Sequence, residues 1–147
     1  MRARQHFLYD SRDKKPYIFK GHTNSKAGLK VGDNTVRGYQ KLFAVERKGW
    51  SDFLRCVTCD WDRFFSKTTS QVTRLSDLHF SCIVVEGPLR RSYSKTYTRY
   101  PVHPEDLLNR VAEIMLWVPI CFFENRKLAR GATLEFLTHA KREIDRR

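Results

Sequence analysis

Two periods of hydrophobic residues alternate along this chain. From Lys41 to Lys48 the period is two: Leu42, Ala44, Glu46 and Lys48 share one face, Phe43, Val45 and Arg47 the other, which predicts a strand. Gln5–Tyr9 and Leu29–Val31 are predicted as shorter strands. The continuous apolar run Phe80–Val85 predicts a strand covered on both faces, as in parallel sheets. Elsewhere the spacing is three and four. Phe53, Leu54 and Val57 predict a helix starting at Asp52 behind a Ser51 cap. Trp61, Phe64, Phe65, Thr68, Val72 and Leu75 predict a second helix, with Arg63, Lys67 and Arg74 outward. Pro104, Glu105 and Asp106 open a third, whose inner face carries Leu107, Val111, Ile114, Met115 and Val118. A last strand over 118–123 precedes a helix capped by Asn125, with Ala129, Ala132, Phe136, Leu137 and Ala140 inward. The order β-β-β-α-α-β-α-β-α predicts an α/β domain, a central mixed sheet flanked by helices.

At 147 residues the chain is one domain with one real core. Its 28 Lys and Arg against 16 acids give a formal charge of +12, which favours a polyanionic partner, nucleic acid first. The cations are scattered and not gathered on one amphipathic helix, which disfavours a membrane surface. No run of 18 apolar residues and no apolar N-terminal segment is present, so neither a membrane span nor a secretory signal is expected, and an intracellular site is. The cysteines at 56, 59, 82 and 121 fall in predicted helices and strands, as reduced thiols do. Cys56-x-x-Cys59 lacks the second Cys or His pair that a structural zinc site needs.

Candidate chemistry collects between Val31 and Asp52. Glu46 and Lys48 point the same way, one pleat apart, at the end of an otherwise buried strand, and Asp33 can turn back beside them. Two carboxylates and a lysine on one sheet edge are the minimum for metal-assisted phosphodiester hydrolysis. The carboxylates hold a hard divalent cation and the ammonium steadies the attacking hydroxide or the developing charge. Glu-x-Lys alone is also what a solvated strand end looks like. Asp10 either helps to order such a site or hydrogen-bonds its own turn. Glu86 belongs either to the active edge or to a salt bridge with a nearby arginine. The segment 88–101 interleaves Arg90, Arg91, Lys95 and Arg99 with tyrosines, which suits phosphate contacts and base stacking and equally a solvated loop.

The complete pattern is more specific than its parts. Gly32-Asp33, twelve residues, Glu46-Arg47-Lys48, three residues and Asp52 resemble the GD-xn-ERK-xxx-D signature of the XPF/Mus family of structure-specific DNA endonucleases. Tyr9-Asp10-Ser11-Arg12-Asp13 resembles the family's D-x-R-E/D opening, and Asp62-Arg63-Phe64, Arg74 and Cys82–Glu86 follow in the family's order. The resemblance runs on through 118–120 and 124–140. It implies a restriction-endonuclease-like (PD-(D/E)XK) core over 1–147. The implied activity is Mg²⁺- or Mn²⁺-dependent cleavage of branched, flap or fork DNA in repair or recombination. It assigns Asp33 and Glu46 to the metal and Lys48 to the catalytic charge, with Asp10, Arg12, Arg47 and Asp52 in support. Arg12, Arg63, Lys67, Arg74, Arg90, Arg91, Lys95 and Arg99 are then the expected DNA contacts. It also implies pairing through the C-terminal helices, as a homodimer or with a related chain, where Phe136, Leu137, Ile144, Leu107, Leu108 and Trp117 offer apolar surface. Two features depart from the family. No helix-hairpin-helix module is expected in this length, and Asp62 stands where the family has glycine. The competing reading is a non-catalytic nucleic-acid-binding or assembly subunit on the same fold.

Overall fold

The computed structural model describes residues 3–66, 68–93 and 102–147. Six strands form one mixed sheet in the order β2-β1-β3-β4-β5-β6. They are β1 (His6–Asp10), β2 (Thr23–Ala27), β3 (Asn34–Val36), β4 (Phe43–Gly49), β5 (Phe80–Glu86) and β6 (Ile120–Phe123). β1 runs parallel to β2 and antiparallel to β3, β3 antiparallel to β4, and β4, β5 and β6 are mutually parallel. The helices are α1 (Trp50–Thr58), α2 (Gln71–Ser76), α3 (Pro104–Met115) and α4 (Arg126–Asp145), with a π-helical turn at Asp62–Ser66 and a 3-10 turn at Leu89–Tyr93. The expected α/β architecture, a mixed sheet flanked by helices, is what forms.

The sheet divides two cores. On one side Ile83 and Val85 pack with Phe53, Leu54 and Val57 of α1, Phe64, Val72 and Leu75, and Leu107, Val111 and Ile114 of α3. On the other, Phe7, Val36, Phe43, Val45, Cys82 and Val84 pack with Tyr17, Phe19 and Ala129, Leu137 and Ala140 of α4. The period-two reading of β4 places its faces correctly. Phe43 and Val45 enter the α4 side, and β5 is buried from Ser81 to Val85 as its apolar run requires.

The structure corrects four boundaries. Residues 29–31 form no strand; the chain turns there, and the short strand is β3, which begins after Asp33. β2 has the sequence Thr-Asn-Ser-Lys-Ala, whose apolar content carries no alternation. As an edge strand it is specified by backbone pairing with β1 and not by a buried face. The α1 helix starts at Trp50 behind Gly49, with no side-chain cap, and not behind Ser51. Finally, the pattern from Trp61 to Leu75 is not one helix. Ser70 accepts from Thr73 N at 3.3 Å and donates to Phe65 O at 3.0 Å, while Thr73 Oγ1 donates to Thr68 O at 2.9 Å. These hydroxyls offer the backbone local partners that compete with a continuous helix, so the segment breaks and restarts at Gln71. Asn125 caps α4 through Leu128 N, as read from the sequence.

Candidate active site

β4 delivers the centre of the site. Its last turns leave the core between the 28–33 loop and α1, and Glu46 and Lys48 stay on the α1 side while Arg47 turns the other way, toward Tyr17. Asp33 reaches the same place through a second connection. Its N–H donates to Val45 O at 2.8 Å, and its Oδ2 accepts from Arg47 N at 2.8 Å. Gly32 makes this approach possible. Its φ is +76°, and a Cβ there would lie 2.7 Å from Ala44 Cβ and 3.2 Å from Val45 O. Asp10 lies behind the loop: Oδ1 accepts from Leu29 N and Oδ2 from Arg12 Nε, both at 3.0 Å, and its own N–H donates to Asp33 O at 2.9 Å. Asp10 therefore ties down the segment that presents Asp33.

These residues open into one cleft of about 560 Å³. Its floor holds Asp33, Glu46 and Lys48. Arg12, Lys14, Lys30, Arg55, Arg63 and Arg74 line the cleft together with Asp10, Asp13, Asp52 and Asp60, and Arg12 and Arg55 pair with Asp10 and Asp60 at 3.0 Å. Glu46 is 8% exposed, and its Oε1 lies 3.3 Å from Lys48 Nζ. Gln71 Oε1 accepts from the same ammonium at 3.0 Å, and Phe64 offers a ring face at 5.5 Å. Burial, reinforced by the neighbouring Glu46 carboxylate, pushes Asp33 well above the usual carboxylate range. Burial alone would lower Lys48, but Glu46 and Asp33 outweigh it and hold the ammonium protonated. The floor is thus a crowded carboxylate pair beside one fixed cation.

Arg47 lies outside this charge cluster. Its guanidinium grips Asp13 at 2.6 and 3.2 Å and Glu86 at 3.0 Å. Glu86 also accepts from Tyr17 Oη at 2.8 Å and Arg126 at 3.1 Å, and Arg126 donates further to Lys15 O and Pro16 O. Of the two readings of Glu86, the salt bridge holds. Arg47 borders the cleft and acts on Asp33 through its backbone N–H and through its charge. Asp52 is exposed on the cleft wall, and the polar partners of Lys48 and Arg47 do not include it.

Arg12, Arg63 and Arg74, named from the sequence as DNA contacts, all line the cleft. Arg90 instead pairs with Glu124 at 2.8 Å, and neither it nor Arg91 borders the cleft. Lys67, Lys95 and Arg99 lie outside the described residues. Sequence reasoning missed Asp13, Tyr17, Arg126, Gln71, Lys14, Lys30 and Arg55. For Asp13 a signal was present in the Asp-x-Arg-Asp segment; for Gln71 none was, since a glutamine after a helix cap is ordinary. Among the described residues no three His, Cys, Asp or Glu side chains converge as a metal set, and no helix is long and apolar enough to cross a membrane.

No protein-family model and no curated protein matches this chain. Among solved structures, XPF from Aeropyrum pernix matches with a TM-score of 0.65 at 20% identity, over 95% of this chain and 65% of that one. At that identity the likeness speaks for the fold, and the fold is the α/β, restriction-endonuclease-like one.

Proposed function

We propose that this chain is a metal-dependent DNA endonuclease that hydrolyses phosphodiester bonds, with branched, flap or fork DNA as the preferred substrate. The observation that carries this reading is the meeting of Asp33, Glu46 and Lys48 in one cleft that Arg12, Lys14, Lys30, Arg55, Arg63 and Arg74 also line. The raised Asp33 carboxyl fits a divalent ion, because two carboxylates crowded in a buried place gain most from a dication between them. Both donors are hard oxygens, which suits Mg²⁺ or Mn²⁺ with water completing the shell. Asp33 and Glu46 would hold that ion. Bound there, it would polarise a phosphoryl oxygen and lower the pKa of a coordinated water. Lys48 supplies a fixed positive charge for the attacking hydroxide or the charge that develops on phosphorus oxygens. Arg12, Lys14, Lys30, Arg55, Arg63 and Arg74 around the cleft seat the phosphodiester backbone. The fold that the chain shares with XPF from Aeropyrum pernix supports the same direction.

A second reading, a non-catalytic nucleic-acid-binding or assembly subunit, draws on the size of the donor set, since no third His, Cys, Asp or Glu joins Asp33 and Glu46 among the described residues. Labelled duplex, flap, fork and single strands, each incubated with Mg²⁺ or Mn²⁺, separate the two. Cleavage of a branched substrate that is lost in Asp33→Asn and Glu46→Gln, with DNA binding kept, supports the nuclease. Binding without cleavage under every condition, or wild-type cleavage by Glu46→Gln, overturns it.

A further inference from the structure

Lys48 is held between two acceptors of unlike charge. Glu46 Oε1 lies 3.3 Å from its Nζ and Gln71 Oε1 3.0 Å, with Phe64 at 5.5 Å, and 12% of the lysine side chain is exposed. A lysine stem has four rotatable bonds, so its ammonium points where its acceptors direct it. Beside a single carboxylate it closes onto that carboxylate as an ion pair. Here that carboxylate is Glu46, which the proposed metal also needs. An amide oxygen behaves differently, since it accepts from the ammonium without neutralising it.

We propose that Gln71 is a positioning residue: it shares the Lys48 ammonium with Glu46, so that the 3.3 Å ion pair closes no further and Glu46 keeps an oxygen for a divalent cation. The inference rests on the nuclease reading above. The fold gives Gln71 a defined place. It is the first residue of α2, set by the Ser70 cap and by the bond from Ser70 to Phe65 O, so the interruption of the helical pattern is what turns it toward Lys48. Arg74, one helical turn further, lines the same cleft. One short helix thus carries an orienting amide on Lys48 and a cation for the phosphate backbone. The two roles separate in kinetics, because the first acts on the chemical step and the second on binding.

The test uses the full chain with Gln71→Ala, Gln71→Asn and Gln71→Glu, and Lys48→Ala with and without Gln71→Ala. Mn²⁺ binding is measured by calorimetry without DNA, and single-turnover cleavage at saturating Mn²⁺ alongside DNA affinity and melting temperature. Gln71→Ala is expected to weaken Mn²⁺ binding by about threefold, the scale of one partly screened ion pair. Adding Lys48→Ala should abolish that loss, because no ammonium remains to close on Glu46. Cleavage should fall about tenfold, as for one lost hydrogen bond to a charged group, with DNA affinity and melting temperature kept. Gln71→Glu should keep Mn²⁺ binding, because it still engages the ammonium, but should not restore the rate, because its carboxylate neutralises that charge; Gln71→Asn, too short to reach, should restore neither. Wild-type Mn²⁺ affinity and rate in Gln71→Ala would overturn the proposal, as would equal losses in all three variants with a lowered melting temperature. A wild-type chain that binds no Mn²⁺ would sink the nuclease reading itself, whereas Mn²⁺ binding indifferent to residue 71 would sink this role alone.

Discussion

Arg47 shows how one residue can serve a site from its border. Its guanidinium is fixed by Asp13 and Glu86, and its N–H holds Asp33. The consequence is measurable through Asp13. Burial raises the Asp13 carboxyl, but the hydrogen bonds and charge of Arg47 more than offset it, so its pKa in the folded chain lies below the ordinary value. A depressed carboxylate stabilises the fold above its unfolded pKa and loses that contribution as pH falls through the folded one. Asp13→Asn should therefore cost about 2 kcal/mol at neutral pH and less as the pH is lowered toward 2 through the carboxylate range. Urea unfolding at both pH values checks this, and an equal loss at both would refute the ionic account. Lys48 and Glu46 were legible from alternation alone, since a period of two puts them on one face. The opposite pointing of Arg47 followed from the same alternation, but the partners waiting for it, at Asp13 and Glu86, come from two other strands' ends.

At the scale of elements, the approach of the 28–33 loop to β4 decides whether the carboxylates meet. Gly32 is the hinge of that approach, and its sequence signal, Gly before Asp, carries a physical requirement. Gly32→Ala would force a side chain into a positive-φ backbone and onto Ala44, a strain of about 1–3 kcal/mol. We expect a lowered midpoint in thermal or urea unfolding, together with weaker Mn²⁺ binding as Asp33 leaves the Arg47 amide. Retained stability and metal binding would show that the loop has slack. Two elements were not legible. The polar edge strand β2 has no buried face to write a pattern, and the restart at Gln71 depends on hydroxyl bonds to Phe65 O and Thr68 O that periodicity does not encode. A pattern with the right spacing was present from Trp61 to Leu75, but local capping overrode it.

At the scale of the whole molecule, burial redraws the expected docking surface. Leu107 and Leu137 are fully buried in the two cores, and Phe136 and Ile144 pack against the one under α4. The exposed apolar side chains gather instead on α3 and the turn after it, where Leu108, Met115, Leu116 and Trp117 are 45, 63, 84 and 56% exposed. They lie beside β6, the edge of the sheet. We propose this end of α3 as the face for a second copy of this chain. Light scattering at high micromolar concentration should give a dimer that Trp117→Glu with Leu116→Glu dissociates; a monomer at every concentration would remove the idea. The sequence by itself determined the α/β class, the faces of β4 with Glu46 and Lys48 on one of them, the buried β5 and the Asn125 cap. Each of these rests on local period or on residue type, which the chain carries wherever it folds. Only the tertiary structure decided that Asp33 reaches β4 from the entry of β3, that Glu86 and Asp13 share Arg47, and that Gln71 meets Lys48. Those contacts join residues 14, 34, 39 and 23 positions apart. No local pattern specifies such pairs, because their geometry is set by how the sheet and its flanking helices close around two cores.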